Sequence, residues 1–364
     1  MAVINPYNGV FGALLVEREA TDQAAVTLTK ADAIPVFQQT MSIDLQFASE
    51  DIMLEDPEGT GYLSQIVGAK CTWAFEAPLY GIGASETTPG SGVYNIATPR
   101  FITAVLSTAF EVTTTNGVTH PTITLTPTIN HSNALCSFAM RGIFAITGSP
   151  AGSGNMLNAE LIGCKIGKAT ISIKADGLHR IKLEGGGVYN GDWDDTAEDL
   201  SGHNWDTTAQ SFVRGMGQGF SMQVNGSGTV YPANLTSADI SIDFGAEHII
   251  SDGALSTLGV AGVALTKRDI AVSIDPIWVL ASSYSIFAVA RAGGWFTMSS
   301  DFAYPSAYSS GTGAKGHGIK FDLPKVQFAN TTPQRAGATR AKLDGVARKN
   351  IESDEPLTIT IGSV

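Results

Sequence analysis

Charge is scarce in this chain: only 15% of its 364 residues are Asp, Glu, Lys or Arg, where about 25% is usual for a soluble globular protein. A surface so poor in charge is expected where neighbouring molecules cover much of it. The plainer reading is a β-rich monomer decorated with Ser, Thr and Gly. Basic residues are the scarcer kind, 22 against 34 acidic, for a net charge of -12. That balance argues against a protein that grips nucleic acid through its phosphates, because such affinity is built from Lys and Arg. Cysteine is nearly absent: Cys71, Cys136 and Cys164 form no CxxC pair, so neither a disulfide framework nor a zinc site is indicated, and folding in a reducing cytoplasm is expected. No stretch approaches the roughly 18 apolar residues of a membrane span. The opening MAVINPYNGVFGALLVERE has no basic region and only a short apolar run, so no export signal is expected.

Catalytic patterns are missing too. The six histidines (His120, His131, His179, His203, His248, His317) are scattered, with no HxxxH or HExxH to set two on one helix face. There is no GxSxG, no P-loop and no GxGxxG opening a helix; Gly185–Gly187 lies in a strand–turn context. The acidic cluster Asp192, Asp194, Asp195, Glu198, Asp199, His203 and Asp206 lacks the D-x-D-x-D-G spacing and distal Glu of a calcium loop, and reads as a solvated loop. Carboxylate pairs suited to glycoside hydrolysis can be far apart in sequence, so spacing alone does not test them. No enzymatic activity, cofactor or metal is expected.

Glycine, by contrast, is abundant, at 40 residues, and Thr, Val, Ile and Ser accompany it, which favours short strands and turns. Alternating apolar and polar residues mark strands at 40–47, 70–79, 122–129, 168–174, 240–244, 269–277, 318–323 and 357–361, each bounded by Gly, Pro, Asn or Asp. Two segments read as helices. In Thr98–Ala109, Thr98 can cap, Pro99 suits the first turn, and Phe101, Ile102, Val105, Leu106 and Ala109 form one apolar stripe. Ser282–Ala292 is followed by Gly293-Gly294, a plausible stop.

The chain also echoes itself. MSIDLQFASEDI (41–52) resembles DISIDFGAEHI (239–249), and AKCTWAFEAPLY (69–80) resembles TKRDIAVSIDPIW (266–278), with Lys70 matching Arg268, Pro78 Pro276, and Tyr80 Trp278. Each piece then leads to its candidate helix. GCKIGKATISI (163–173) further parallels GAKGHGIKFDL (313–323). Three matches in one order suggest a duplicated sheet-plus-helix unit, against the alternative of convergent strand chemistry. The expected organisation is a first β domain over 1–190, an acidic linker or loop over 191–215, and a second β domain over 216–364. The segment 190–206 carries six acidic residues and no Lys or Arg, as a solvated connection would.

Several local features then resemble tail tube proteins of long-tailed, siphophage-type bacteriophages. A strand pair is joined by a long acidic loop (Ala48–Gly61), and a short helix follows. LNAELIGCKIGKATISIKADGLHRIKLEGGGVYNGD (157–192) reads as two strands ending in a glycine-rich segment. IKFDLPKVQF (319–328) precedes a Gly/Ala/Arg-rich stretch and a last strand, LTITIGSV. The resemblance implies a mainly β chain of two tandem β-sandwich or sheet units, each flanked by a short helix. It implies that the inner sheets join into a ring-shaped barrel on oligomerisation, and that the rings stack into a tube that conveys DNA into the host. The partners so implied are the chain itself, other tail proteins such as the tape measure, terminator and distal tail proteins, and genomic DNA passing through unbound. The implied place is the virion tail, assembled in the bacterial cytoplasm.

Length and duplication depart from single-copy members, so two units per chain would need three chains for a pseudo-hexameric ring. Six units of about four strands, spaced roughly 4.8 Å, give a circumference near 115 Å and a backbone diameter of about 37 Å, wide enough for a duplex. An acidic balance would keep DNA from sticking.

Contact candidates are the acidic loop with its apolar triplet (Glu50, Asp51, Ile52, Met53, Leu54, Glu55, Asp56, Glu58), expected as a mobile loop that orders between stacked rings. A basic stretch on a neighbouring copy (Arg335, Arg340, Lys342, Arg348, Lys349) would complement it. Two other classes remain open: a capsid decoration or other virion protein, and a carbohydrate-binding β-sandwich using Trp193, Trp205, Trp278 and Trp295, whose alternative role is core and interface filling.

Overall fold

A computed structural model describes residues 13–24, 26–37, 40–53, 62–82, 84–86, 94–96, 98, 100–115, 122–129, 137–146, 156–174, 177–190, 210–212, 220–225, 230–233, 235–251, 259–276, 286–303, 318–336, 338–349 and 355–362. The first part of the chain forms β1 (Ala13–Arg18), β2 (Ala33–Ile34), the long pair β3 (Ser42–Met53) and β4 (Tyr62–Pro78), and the short β5 (Tyr80–Ile82), β6 (Ala84–Glu86) and β7 (Tyr94–Ile96). Then come β8 (Phe110–Thr115), β9 (Thr122–Pro127), β10 (Phe138–Ile146), β11 (Met156–Lys174), β12 (Arg180–Tyr189) and β13 (Gln210–Phe212). The remainder forms β14 (Phe220–Val224), β15 (Val230–Ala233), β16 (Leu235–Asp243), β17 (Ala246–Ile250), β18 (Val260–Leu265) and β19 (Asp269–Pro276). After α1 (Ile286–Arg291) come β20 (Phe296–Ala303), β21 (Gly318–Ala336), β22 (Ala338–Arg348) and β23 (Thr358–Gly362). The protein is mainly β, and each alternating segment read from the sequence overlaps a strand.

Pairing is antiparallel throughout. One run follows the order β2-β1-β10-β11-β12-β4-β3. Another follows β15-β14-β20-β21-β22-β19-β16. The two are joined where the C-terminal half of β11 pairs with β16, so a single 17-stranded sheet contains both. The chain-order boundary at 190 is not a sheet boundary: β9 pairs with β23, and β13, inside the segment read as a linker, pairs with β5.

The strands β3-β4-β12-β11-β16-β19-β22-β21 form a continuous stretch with one buried face. Trp73, Phe75, Leu183, Ile171, Ile240, Val272, Leu343 and Phe328 all point into the core. Period two sends their neighbours to the other face, where ion pairs are short: Arg180–Glu76 3.3 Å, Lys182–Glu184 2.5 Å and Lys342–Asp344 3.4 Å. That face is wet and charge-paired rather than simply acidic.

Two local expectations need correction. The segment 98–109 is helical but not a regular α-helix. It is a π turn at Phe101–Val105 followed by a 3-10 turn at Leu106–Thr108. Its wider i→i+5 spacing comes with burial of Phe101, Ile102, Ala104, Val105 and Leu106, a broader stripe than an α-helix presents. The acidic loop starts later than read: 48–53 and 62–68 continue the β3–β4 ladder across a bulge at Ala48/Ser49. Residues 54–61, with Leu54, Glu55, Asp56 and Glu58, lie outside the described residues. The second helix ends as its glycines suggest: Gly293 has φ +73°, its N–H reaches Ala290 O (3.0 Å), and Gly294 N–H reaches Val289 O (2.8 Å), a Schellman stop.

Candidate assembly edges

The join between the two runs shows how this sheet makes a junction. Lys168–Lys174 of β11 and Ser237–Asp243 of β16 match residue for residue, with Lys168 opposite Asp243 and Ile171 opposite Ile240. Ala169, Ile171 and Ile173 bury against Ala238, Ile240 and Ile242 on one face. On the other, Ser172 Oγ donates to Asp239 Oδ1 at 2.6 Å. Burial works to raise Asp243, but Lys267 Nζ at 2.7 Å, the Gly245 N–H at 2.9 Å and Lys168 outweigh it and hold the carboxyl below its usual range.

After Asp243 the chain bends at Gly245, whose φ of +61° suits glycine. The Phe244 N–H bonds Gly167 O at 2.7 Å. The bend folds the β17–β18 hairpin back over β11, β12 and β4. There it is seated on glycines: a Cβ at Gly167 would stand 2.7 Å from Ala246 Cβ, and one at Gly186 would stand 3.0 Å from His248 Cε1. His248 Nε2 lies 2.9 Å from Cys71 O, and the Gln23 side-chain amide donates to Ala261 O. Beneath the seat, Trp73 Nε1 donates to Gly186 O at 3.0 Å and its ring stacks on Phe75, 5.5 Å between centroids. Burial pushes the Cys71 thiol up to about 12, and raises Cys164 as well, so neither is a poised nucleophile.

Among the described residues, the far ends of the eight-strand stretch are open. Among the described residues, β3 pairs on one side only, with β4. Beyond Gln327, β21 likewise pairs only with β22, since β20 and β23 reach no further than Val326 and Asp322.

Glu50, Asp51, Ile52 and Met53 stand in the β3–β4 arm, opposite Gln65, Ser64, Leu63 and Tyr62. The basic stretch is not one patch. Arg335 and Arg340 sit at the turn end of the β21–β22 hairpin, while Arg348 is opposite Lys325 at the other end, roughly 27 Å from Arg340 at 3.4 Å per residue. Lys342 pairs with Asp344 on the wet face, and Lys349 lies just past β22. Of the tryptophans considered as a sugar platform, Trp295 is half-buried with Lys325 Nζ 5.6 Å from its ring centroid; Trp193, Trp205 and Trp278 lie outside the described residues. The 192–206 cluster lies outside them as well, and among the described residues no group of His, Cys, Asp and Glu could hold a metal. No helix there is long and apolar enough to cross a membrane.

No protein-family model matches the chain, and no curated protein matches it.

Proposed function

We propose that this protein is a structural subunit that joins copies of itself edge to edge into rings, and that stacked rings form the tail tube of a long-tailed phage. The observation that carries the reading is the internal β11–β16 junction, together with the two open edges it would match. The seven strands β2-β1-β10-β11-β12-β4-β3 and β15-β14-β20-β21-β22-β19-β16 are read as two copies of one unit, each with a helical segment. Following the pairings, Asp44 takes the place of Asp243, Trp73 of Ile270, Glu184 of Val346 and Lys168 of Gln327. Phe138-x-Met140 takes the place of Phe296-x-Met298, and both interrupt the ladder at the same step.

If β3 stands for β16 and β21 for β11, the missing partner of each open edge is the other edge on a neighbouring chain. The alternation of direction along eight strands makes that contact antiparallel, like the internal one. Its register follows: Asp44 opposite Gln327, Ile43 opposite Phe328 and, past the bulge at Ala329, Ser42 opposite Asn330. Eight strands per chain give about 24 for three chains, and so about 115 Å of circumference at 4.8 Å spacing. The charge-paired wet face would line the lumen, where paired charges offer few cations to phosphates. Stacking with the other tail proteins, passage of genomic DNA and a place in the virion tail follow from the same proposal.

The test is a cysteine pair, Ser42→Cys with Asn330→Cys, in a Cys136→Ser background. The two positions are roughly 34 Å apart within one chain at 4.8 Å per strand, but a paired register would bring them within disulfide reach between chains. Oxidation should give a ladder of covalent multimers, and microscopy should show rings or tubes. A chain that stays monomeric at high concentration, or a ladder equally strong with Ser42→Cys and Ala336→Cys, overturns the proposal.

A further inference from the structure

At one corner of the sheet β20 stops flanking β21 and the open edge of β21 begins. Phe296 stands opposite Val326 there, and Gln327 is the first residue of the open edge. Val326 and Ala347 are buried in the core. Lys325 and Arg348, opposite each other on the adjoining rung, therefore share the wet face. Two cations directly across a ladder repel. Lys325 Nζ lies toward the open-edge side, 5.6 Å from the ring centroid of Trp295, the residue before β20, which is cation–π range. Among the described residues neither Lys325 nor Arg348 has a carboxylate partner. Asp269, which would continue their row on β19, is 3.9 Å from Lys267 Nζ.

The same corner in the first run is matched within the chain. Counting along the β11–β12 and β21–β22 ladders, Lys165 answers to Lys325, and Lys165 Nζ is 3.2 Å from Asp22 Oδ2. The acid across the joint shows the same contrast. Asp243 meets Lys267 Nζ at 2.7 Å. Asp44, which takes its place on the open β3 edge, is exposed. It accepts the Gln46 side-chain amide at 3.1 Å and has no cation partner among the described residues. Inside the chain both charges at the corner are paired, whereas each open edge presents one charge, and the two are opposite in sign.

We infer that Lys325 receives Asp44 of the neighbouring copy, and that this ion pair fixes the register of the joint. This rests on the edge-to-edge assembly proposed above. In that register Asp44 stands opposite Gln327, with Lys325 diagonal to it on the same face. Such diagonal positions are roughly 7–8 Å apart, within reach of a long side chain. Only slips of two residues keep the apolar face inward. One such slip drives β3 against β20, and the other carries Asp44 away from Lys325. The pair is partly exposed, so it selects register and speeds capture more than it adds affinity. Added salt weakens it.

The experiment is a charge exchange in the full chain, with folding checked by thermal melting and assembly read by sedimentation. Asp44→Lys and Lys325→Glu should each raise the critical concentration about tenfold, and the two together should restore most of the loss. The neutral changes Asp44→Asn and Lys325→Gln should act in the same direction by about threefold, and keep the test readable where a reversal unfolds the chain. Added to the Ser42→Cys, Asn330→Cys pair, either reversal should slow the disulfide ladder, and the exchange should recover it. Unchanged assembly, or losses that add without rescue, would overturn the ion pair, while an intact ladder would leave edge-to-edge assembly standing. A chain with Asp44 and Lys325 in place that gives neither ladder nor rings would overturn both.

Discussion

His248 of β17 stands directly over Gly186 of β12, its Cε1 3.0 Å from where a Cβ would project, while its Nε2 meets Cys71 O at 2.9 Å. The hairpin is thus held by a polar contact that exists only because residue 186 has no side chain. Gly186→Val should lift β17–β18 from its seat and cost about 1–3 kcal/mol, the range for overpacking a tight contact. Urea unfolding would measure the loss, and hydrogen exchange should rise in 246–265 before it rises in β11. Unchanged stability would show that the hairpin does not rest on this glycine.

His179 should make the fold acid-sensitive. Burial pushes its pKa down to about 4 from the ordinary 6.5, so the unfolded chain takes up the proton first as pH falls. The stability from the neutral ring is complete above the ordinary value and is lost between about pH 6.5 and 4, with a ceiling of roughly 3 kcal/mol. The melting temperature should fall across that window in the wild type. It should fall less in His179→Phe; equal slopes would remove His179 as the cause.

Phe138 and Phe296 are both fully buried, and each packs in its own neighbourhood. Phe138 meets Trp73 edge-on at 5.3 Å, and Phe296 meets Phe328 at 5.6 Å. Each Phe→Ala change should cost about 3–5 kcal/mol. If the two neighbourhoods are independent, the double variant should be additive within about 0.5 kcal/mol. Strong coupling would mean that the two aromatic clusters behave as one.

Lys342→Glu breaks an exposed pair with Asp344 and should change stability by no more than about 1 kcal/mol. Urea unfolding would measure the change, and a larger loss would show that the pair is more than a surface contact.

Strand identity was legible because alternation reports a half-buried strand directly. Register was not, because alternating sequences resemble one another after many slips. If the two runs are copies of one unit, as proposed, Lys70 answers to Lys267 and not to Arg268, and a one-residue slip exchanges the two faces of a strand. On the same reading Leu323 answers to Leu161 and not to Ile173, since each meets the step after a bulge, opposite Met298 and Met140. A usable signal was present but overlooked. Phe138-Ala-Met140 and Phe296-Thr-Met298 are short, but they occur at that bulge, where register is fixed. The hairpin's seat was hidden for another reason: Gly186, Trp73 and His248 come together only through pairing between distant strands.

The bend at Gly245 turns the chain from β16 into β17, whereas β3 runs on past Asp44 as one strand. Within one chain a junction is made once, at synthesis, and mass action cannot undo it. A junction between chains must be found, tested and sometimes released. A ring of six identical subunits has to use one surface for both demands, whereas a chain carrying two units can build the boundary inside the chain one way and the boundary between chains another. In the proposed assembly, half of the joints are therefore permanent from the start, and closure requires three encounters instead of six.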